Sequence, residues 1–292
     1  MSTVIVLAFT GLGLGALYFL IASGLSLIFG LMHVLNFAHG AILGVGAYVG
    51  WWAASHVGGG PGLRLLLAVL VGMATSTVLA ALLELVLVRR LYDREIAQVL
   101  VTVGVGLALV ALLQGIWGTD PRSYPVPGWM RETIHVGGAA IPQGRIVVIV
   151  VGALVLAAFV LFLRHTRYGL IVRAGVENRA MVTALGIDVR RAFTLVFALG
   201  GAAAGLAGAL AGAYFGTVTP QLGSSLLIYA FIVVVIGGLG SVTGSAIAAV
   251  LVGLLQQFTN YYAASGLGDL SVVLLLAVVL LLRPQGLLGR PV

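Results

Sequence analysis

Val4–Leu31 reads VIVLAFTGLGLGALYFLIASGLSLIFGL, an unbroken run with no charged side chain. About 20 apolar residues carry an α-helix across the hydrocarbon core of a bilayer, so this run can span one with tilt to spare. Further apolar runs follow at Ala41–Ala54, Leu65–Val88, Val99–Trp117, Ile146–Leu163, Ala192–Phe215, Leu226–Leu239, Ala246–Phe258 and Leu270–Leu282. The second, seventh, eighth and ninth runs are short for a full span and read as tilted, broken or re-entrant. The expected fold is therefore all-α, a polytopic helical bundle of eight to ten crossings within a single membrane domain over residues 1–292.

Composition agrees. Of 292 residues, 61% are hydrophobic and 8% charged, against roughly 25% charged in a soluble domain; mean hydropathy is +1.18. The 15 basic residues are all arginine. Arg89, Arg90 and Arg94 form one cluster, Arg164, Arg167, Arg173, Arg179, Arg190 and Arg191 a second, and Arg283 with Arg290 a third. Such clustering is the positive-inside pattern. It places these connections in the cytoplasm and the 118–145 connection outside, so the net charge of +7 reports orientation rather than nucleic-acid binding. Met1-Ser2-Thr3 lacks a basic region ahead of the apolar run, so a cleaved leader is not expected.

The 118–145 connection holds Pro121, Pro125, Pro127 and Pro142 with Trp117, Tyr124 and Trp129. It reads as a rigid loop at the interface or a docking surface for an external partner. Glycine, at 42 residues, repeats at four-residue spacing in Gly11/Gly15, Gly40/Gly44, Gly46/Gly50, Gly201/Gly205, Gly208/Gly212 and Gly240/Gly244. Each pair makes a flat strip on which another helix backbone can approach closely. Gly11-Leu12-Gly13-Leu14-Gly15 lacks the preceding strand and the spacing of a dinucleotide loop.

Several chemistries are excluded. Without cysteine there is no disulfide or thiolate metal site, and without lysine there is no standard phosphate-binding P-loop. Of the eight acids, Glu84 alone falls within an apolar run. It lies about a turn from Arg89, where snorkelling or ion pairing is expected. Ion-coupled carriers keep titratable groups at mid-membrane, so the energy source is expected outside this chain. No paired carboxylates or nucleophile–base set suggests catalysis.

Residues 164–191 form the longest connection on the arginine-rich side. Glu177–Leu185 reads as a short amphipathic helix, with Ala180, Met181, Ala184 and Leu185 on one face and Gly186 as its C-terminal cap. Such a helix can lie on lipid or fill a partner's groove, and spacing does not choose. Tyr168-Gly169, Arg173-Ala174, Glu177-Asn178, Ala184 and Gly186-Ile187 resemble the cytoplasmic loop of ATP-binding-cassette importer permeases of the branched-chain amino-acid and ribose superfamily. That resemblance implies a coupling helix docked on a separate ATPase subunit.

Asn36-Phe37-Ala38-His39-Gly40 lies between the first two apolar runs. One histidine makes a poor metal site, and a structural cap is the ordinary reading. The motif also resembles the signature of LivH-type permease subunits, as do Gly237-Gly238-Leu239-Gly240-Ser241-Val242-Thr243-Gly244 and the ending Arg283-Pro284-Gln285-Gly286-Leu287-Leu288-Gly289-Arg290-Pro291. The likeness covers nearly the whole chain. It implies a non-enzymatic permease of the bacterial inner membrane, without a cofactor of its own, since ATP would be bound by a separate subunit. Its implied partners are a homologous second permease, two cytoplasmic ATPases and an extracytoplasmic binding protein. The implied cargo is a branched-chain amino acid, with other amino acids, short amides or urea as alternatives. Polar candidates for the translocation path are Ser23, Ser26, Asn36, His39, Gly40, Gln114, Gln256, Gln257 and Asn260, each with helix–helix hydrogen bonding as the plainer role. A self-sufficient channel or secondary carrier is the competing reading.

Overall fold

In lipid every backbone N–H and C=O must be paired within the protein, which leaves the helix as the solution for a long apolar run. The computed structural model describes residues 2–32, 35–92, 94–184, 186 and 188–289. In it each of the nine apolar runs becomes one helix. These are α1 (Ser2–Met32), α2 (Ala38–His56), α3 (Pro61–Val86), α4 (Glu95–Trp117), α6 (Gln143–His165), α8 (Val189–Phe215), α9 (Leu222–Gly237), α10 (Val242–Tyr262) and α11 (Leu267–Leu282). Two more helices lie in connections, α5 (Gly128–Arg131) and α7 (Arg167–Ala184). Short strands β1 (Arg122–Ser123) and β4 (Thr217–Val218) pair antiparallel, as do β2 (Thr133–Val136) and β3 (Ala139–Pro142). The helix ends follow local chemistry: Pro61 opens α3, Ser241 accepts the Gly244 N–H to cap α10, and Gly216 ends α8 in the left-handed region.

Among the described residues six helices, α1, α3, α4, α6, α8 and α10, are long and apolar enough to cross a bilayer unaided. Of the other three apolar helices, α2 has 19 residues and α9 and α11 have 16 each. α1 and α8 form the centre of the bundle, while α4 and α6 lie at its edge with large apolar side chains such as Leu107 and Leu154 turned outward.

The packing has an internal two-fold. α1 lies on α10 through Gly11 and Gly15, which face Gly253 and Ala249; α8 lies on α3 through Gly201 and Gly205, which face Ser76 and Gly72. α1 and α8 are antiparallel, Gly13 beside Tyr214 and Gly24 beside Gly200. α2 meets α9 reciprocally, Gly40 against Leu227 and Gly223 against Gly44. The set α8–α9–α10 is thus an inverted copy of α1–α2–α3, the plan of many transporters. Of the glycine pairs read from the sequence, Gly11/Gly15, Gly40/Gly44 and Gly201/Gly205 sit at these contacts. A Cβ on Gly15 would lie 2.5 Å from the Ala249 carbonyl oxygen, closer than any side chain tolerates.

The chain does not cross cleanly between α1 and α2. His39, in the first turn of α2, lies beside Ile21 and Gly24 of α1, some 12–16 Å short of the end of α1 at Met32 on a 1.5 Å rise. α3 gives the same depth. Its Ser76 donates to the Ile42 carbonyl at 3.0 Å, and α3 runs about 15 Å further to Val86. α2 therefore begins inside the bundle, and α9 begins beside it, with Gly223 against Gly40. The expectation of broken short segments holds for these two.

The expected external loop is folded back onto the helix ends. Tyr124 is buried between Gly50 and Gly212, and Trp51 donates its indole N–H to the Ser123 carbonyl at 2.9 Å. Gly205→Val should destabilise the purified protein by about 3 kcal/mol or more, because its side chain meets the backbone of Gly72. Gly115→Val, with nothing within 4 Å of its Cβ, should leave the thermal midpoint unchanged; equal midpoints for both variants would refute the packing.

Candidate translocation site

A chain that re-enters the bundle must satisfy its exposed helix end locally. Asn36 does so for α2: its Oδ1 accepts the Ala38 N–H at 3.1 Å and its backbone carbonyl accepts the His39 N–H at 3.2 Å. Thr102 of α4 supports the turn from outside, its Oγ1 accepting the Phe37 N–H at 3.3 Å. His39 Nε2 lies 3.2 Å from the Ile21 carbonyl, which can only accept, so Nε2 carries the hydrogen. Asn36, His39 and Thr102 are wholly buried. Among the described residues Asn36 Nδ2 and His39 Nδ1 have no partner, although buried polar atoms are nearly always paired.

The first turn of α9 closes the site. Gly40 is needed there, since a Cβ on it would lie 2.6 Å from the Gly223 carbonyl oxygen. The Phe37 and Phe231 rings pack at 5.1 Å between centroids. The Leu222 N–H is held by the Thr219 carbonyl at 3.1 Å and the Ser225 N–H by the Gln221 carbonyl at 3.0 Å. Gln221, Ser224 and Ser225 are exposed on this chain's surface, although they sit at the depth of Gly40. Sequence reading passed over them, starting this helix at Leu226. The available signal was the matching break in each half, Asn36-Phe37-Ala38-His39-Gly40 and Thr219-Pro220-Gln221-Leu222-Gly223, each opening a short apolar segment.

The other polar candidates lie elsewhere. Gln256 takes the Tyr18 hydroxyl at 2.8 Å and donates to Asp269 at 2.6 Å. Tyr18 in turn stacks on Tyr229, 4.8 Å between centroids. Asp269, just ahead of the apolar run Leu270–Leu282, lies in the first turn of α11, where a carboxylate suits the helix end. Asn260 accepts the Gly266 and Gly268 N–H groups at 3.0 and 2.9 Å, tying the α10–α11 turn. Gln114 is half-buried near the end of α4, Gln257 half-buried on α10, and Ser23 donates to its own helix at the Leu20 carbonyl. Ser26 is buried, with no partner among the described residues.

Glu84 corrects its reading. It neither snorkels nor pairs with Arg89, which is exposed. It is wholly buried, accepting the Tyr92 hydroxyl and, at 2.6 Å, the Thr194 hydroxyl of α8. After α3 a 3₁₀ turn, Val88–Leu91, redirects the chain and brings Tyr92 over the carboxylate. Hydrogen bonds from two hydroxyls replace the expected guanidinium.

The helix expected at Glu177–Leu185 is longer. α7 has 18 residues, because the Thr166 hydroxyl accepts the Gly169 N–H at 2.9 Å and starts the helix earlier. Gly169 packs against the backbone of Phe162 and Leu163. The buried face carries Val172, Gly175 and Val182, whereas Met181, at 61% exposure, and Ala184 face outward with Arg173; Ala174 is half-buried. The expected apolar face is thus the outward one, since the inner positions fall on Val172 and Val182. Gly186 adopts φ +78°, as a cap requires. Leu185, Ile187, Arg290 and Pro291 lie outside the described residues, as do the side chains of Glu177, Asn178 and Ala180.

Comparison with known proteins accounts for nearly all of the chain. The profile of the family described as "Branched-chain amino acid transport system / permease component" matches residues 7–282. The high-affinity branched-chain amino acid transport system permease protein LivH of Escherichia coli K12 is 30% identical over 97% of this chain and 94% of its own length. BraD of Pseudomonas aeruginosa, a permease protein of the same description, is 29% identical over 96% and 94%. A probable branched-chain amino acid permease protein LivH from Methanocaldococcus jannaschii is 28% identical over 92% and 88%. No solved structure matches the chain. The helical membrane fold and the end-to-end match lead to one conclusion: the chain belongs to the family of branched-chain amino acid transport system permease components.

Proposed function

We propose that this chain is the membrane permease of an ATP-driven importer that carries branched-chain amino acids into the cytoplasm by alternating access. The observation that carries the reading is the pair of broken helices, α2 and α9, meeting inside an inverted repeat, where transporters place their cargo. The chain resides in the bacterial inner membrane with the arginine-rich end of the bundle, including α7, in the cytoplasm. It acts without catalytic chemistry or a cofactor of its own. A homologous second permease completes the path, two ATPases supply the energy, and an extracytoplasmic binding protein delivers the cargo.

Force enters through α7. Its outward Met181 and Ala184 supply the apolar contact for an ATPase groove. Motion of α7 passes to the start of α8, and Thr194 carries it to α3 through Glu84. The glycine contacts allow the helices to repack without large side chains jamming between them.

In vesicles holding the two permeases, the ATPases and the binding protein, leucine uptake should require ATP. Uptake by this chain alone would establish a channel or secondary carrier instead. Met181→Glu should cut binding-protein-stimulated ATP hydrolysis at least tenfold while leaving membrane insertion intact, because a charge is driven into an apolar groove. Glu84→Leu removes the shared acceptor that ties Tyr92 and Thr194 to α3 and should reduce coupling roughly tenfold, with Glu84→Gln retaining most of it. Equal coupling in Glu84→Leu and the parent would remove that carboxylate from the transmission route.

A further inference from the structure

Arg145 lies in the first turn of α6, at the outer end of the bundle as the arginine distribution orients it. The next charge along that helix is Arg164, with 18 uncharged residues between the two. At a 1.5 Å rise they stand about 28 Å apart, close to the thickness of the hydrocarbon core. Arg145 is therefore at the headgroup level of the outer leaflet, on a helix that turns Val150 and Leu154 outward. It is half-buried, donates to the Tyr214 hydroxyl at 2.7 Å and lies 5.2 Å from the centroid of that ring. Its other N–H groups meet no acceptor among the described residues, where the one ion pair joins Arg191 to Asp188. Beside it a cavity of about 310 Å³ opens between α5, the start of α6 and the end of α8. Arg131, exposed and also without a carboxylate, borders this cavity with Gly144, Tyr214 and Phe215. The start of α6 and the end of α8 bring opposite partial charges, which leaves the two guanidiniums to set its sign.

We infer that this cavity is a phospholipid site, in which Arg145 and Arg131 hold the phosphodiester of an outer-leaflet lipid. A half-buried guanidinium is costly without a counter-charge, and the phosphodiester is the anion that this level of a bilayer supplies in abundance. Guanidinium forks match phosphate oxygens with paired N–H donors, and Tyr214 takes one donor of Arg145 to hold its fork in place. The acyl chains run down the outward face of α6, past Val150 and Leu154. Two cations against one phosphate favour a hydroxylated headgroup, as in phosphatidylglycerol, over an ammonium headgroup that Arg131 would repel. This site is independent of the cargo and energy source proposed above.

The test follows the thermal midpoint of the purified full-length chain in an uncharged detergent. The probes are dioleoylphosphatidylglycerol, dioleoylglycerol, inorganic phosphate and L-leucine, each titrated alone. Phosphatidylglycerol at about a hundredfold excess over its dissociation constant should raise the midpoint by roughly 5 °C. Dioleoylglycerol, which has the chains without the phosphate, should leave it unchanged. Arg145→Gln should weaken phosphatidylglycerol binding roughly tenfold. Arg131→Glu, at an exposed position that folding does not need, should weaken it as much with no change in the lipid-free midpoint, and it keeps the site testable if Arg145→Gln does not fold. Arg164→Glu makes the same charge change at the other end of α6 and should retain the parent's affinity. An equal shift with dioleoylglycerol, unchanged affinity in Arg131→Glu, or equal losses in Arg131→Glu and Arg164→Glu would overturn the site. A matching shift from inorganic phosphate or leucine alone would also overturn it, by marking a site for a free anion.

Discussion

The rest of the structure depends on the rule that a peptide group in hydrocarbon must find its partner within the protein. Two helices of this chain break that rule at mid-depth and are rescued locally. The Asn36 carboxamide and carbonyl, Thr102 and His39 hold the start of α2, and the Thr219 and Gln221 carbonyls hold the start of α9. The breaks bring irregular backbone and polar side chains to the one depth where lipid would not accept them. Among the described residues Asn36 Nδ2 and His39 Nδ1 have no partner there.

Glycine makes that arrangement possible. Each half of the inverted repeat is bound to the other through glycine-lined contacts, α1 on α10 and α8 on α3, with Gly40 on Gly223 at the crossing. Apolar side chains give little net attraction between helices already solvated by lipid, so close backbone approach supplies the dispersion contact. Contacts of this kind leave few interlocked side chains, which suits helices that must slide during a cycle. Glu84 adds the opposite quality at the arginine-rich end. Its two hydroxyl partners make a directional tie between α3 and α8, positioned where α7 leads into α8.

Much of the fold was legible because its signals are local. Apolar length located nine helices, four-residue glycine spacing located several of their contacts, and the shortness of the second and seventh runs marked the broken segments. The misreadings have non-local causes. Glu84 appeared to face Arg89 because the two are close in sequence, but Tyr92 and Thr194 reach it through a turn and a second helix. α7 extended beyond its amphipathic segment because a threonine cap at Thr166 outweighs the weak apolar pattern that follows. Ser224 and Ser225 escaped notice since hydroxyls blend into an apolar run, and depth becomes visible when α2 and α9 meet. Asn260 and Gln256, candidates for the path, have hydrogen bonds that tie helix ends or neighbours together, the plainer role given to them from the sequence.

The central claim is that the start of α9 borders a water-filled path in the middle of the bilayer. The chain has no cysteine, so a single introduced thiol reports its surroundings without background. The most direct measurement is the rate at which a membrane-impermeant, charged thiosulfonate modifies Ser225→Cys in the assembled importer. Leu107→Cys on α4, where the native side chain is 68% exposed, serves as the lipid-facing reference. The account predicts rapid modification of Ser225→Cys, slowed by leucine, and negligible modification of Leu107→Cys. Equal and negligible rates at both positions would place the α9 face against lipid or dry protein and contradict the account.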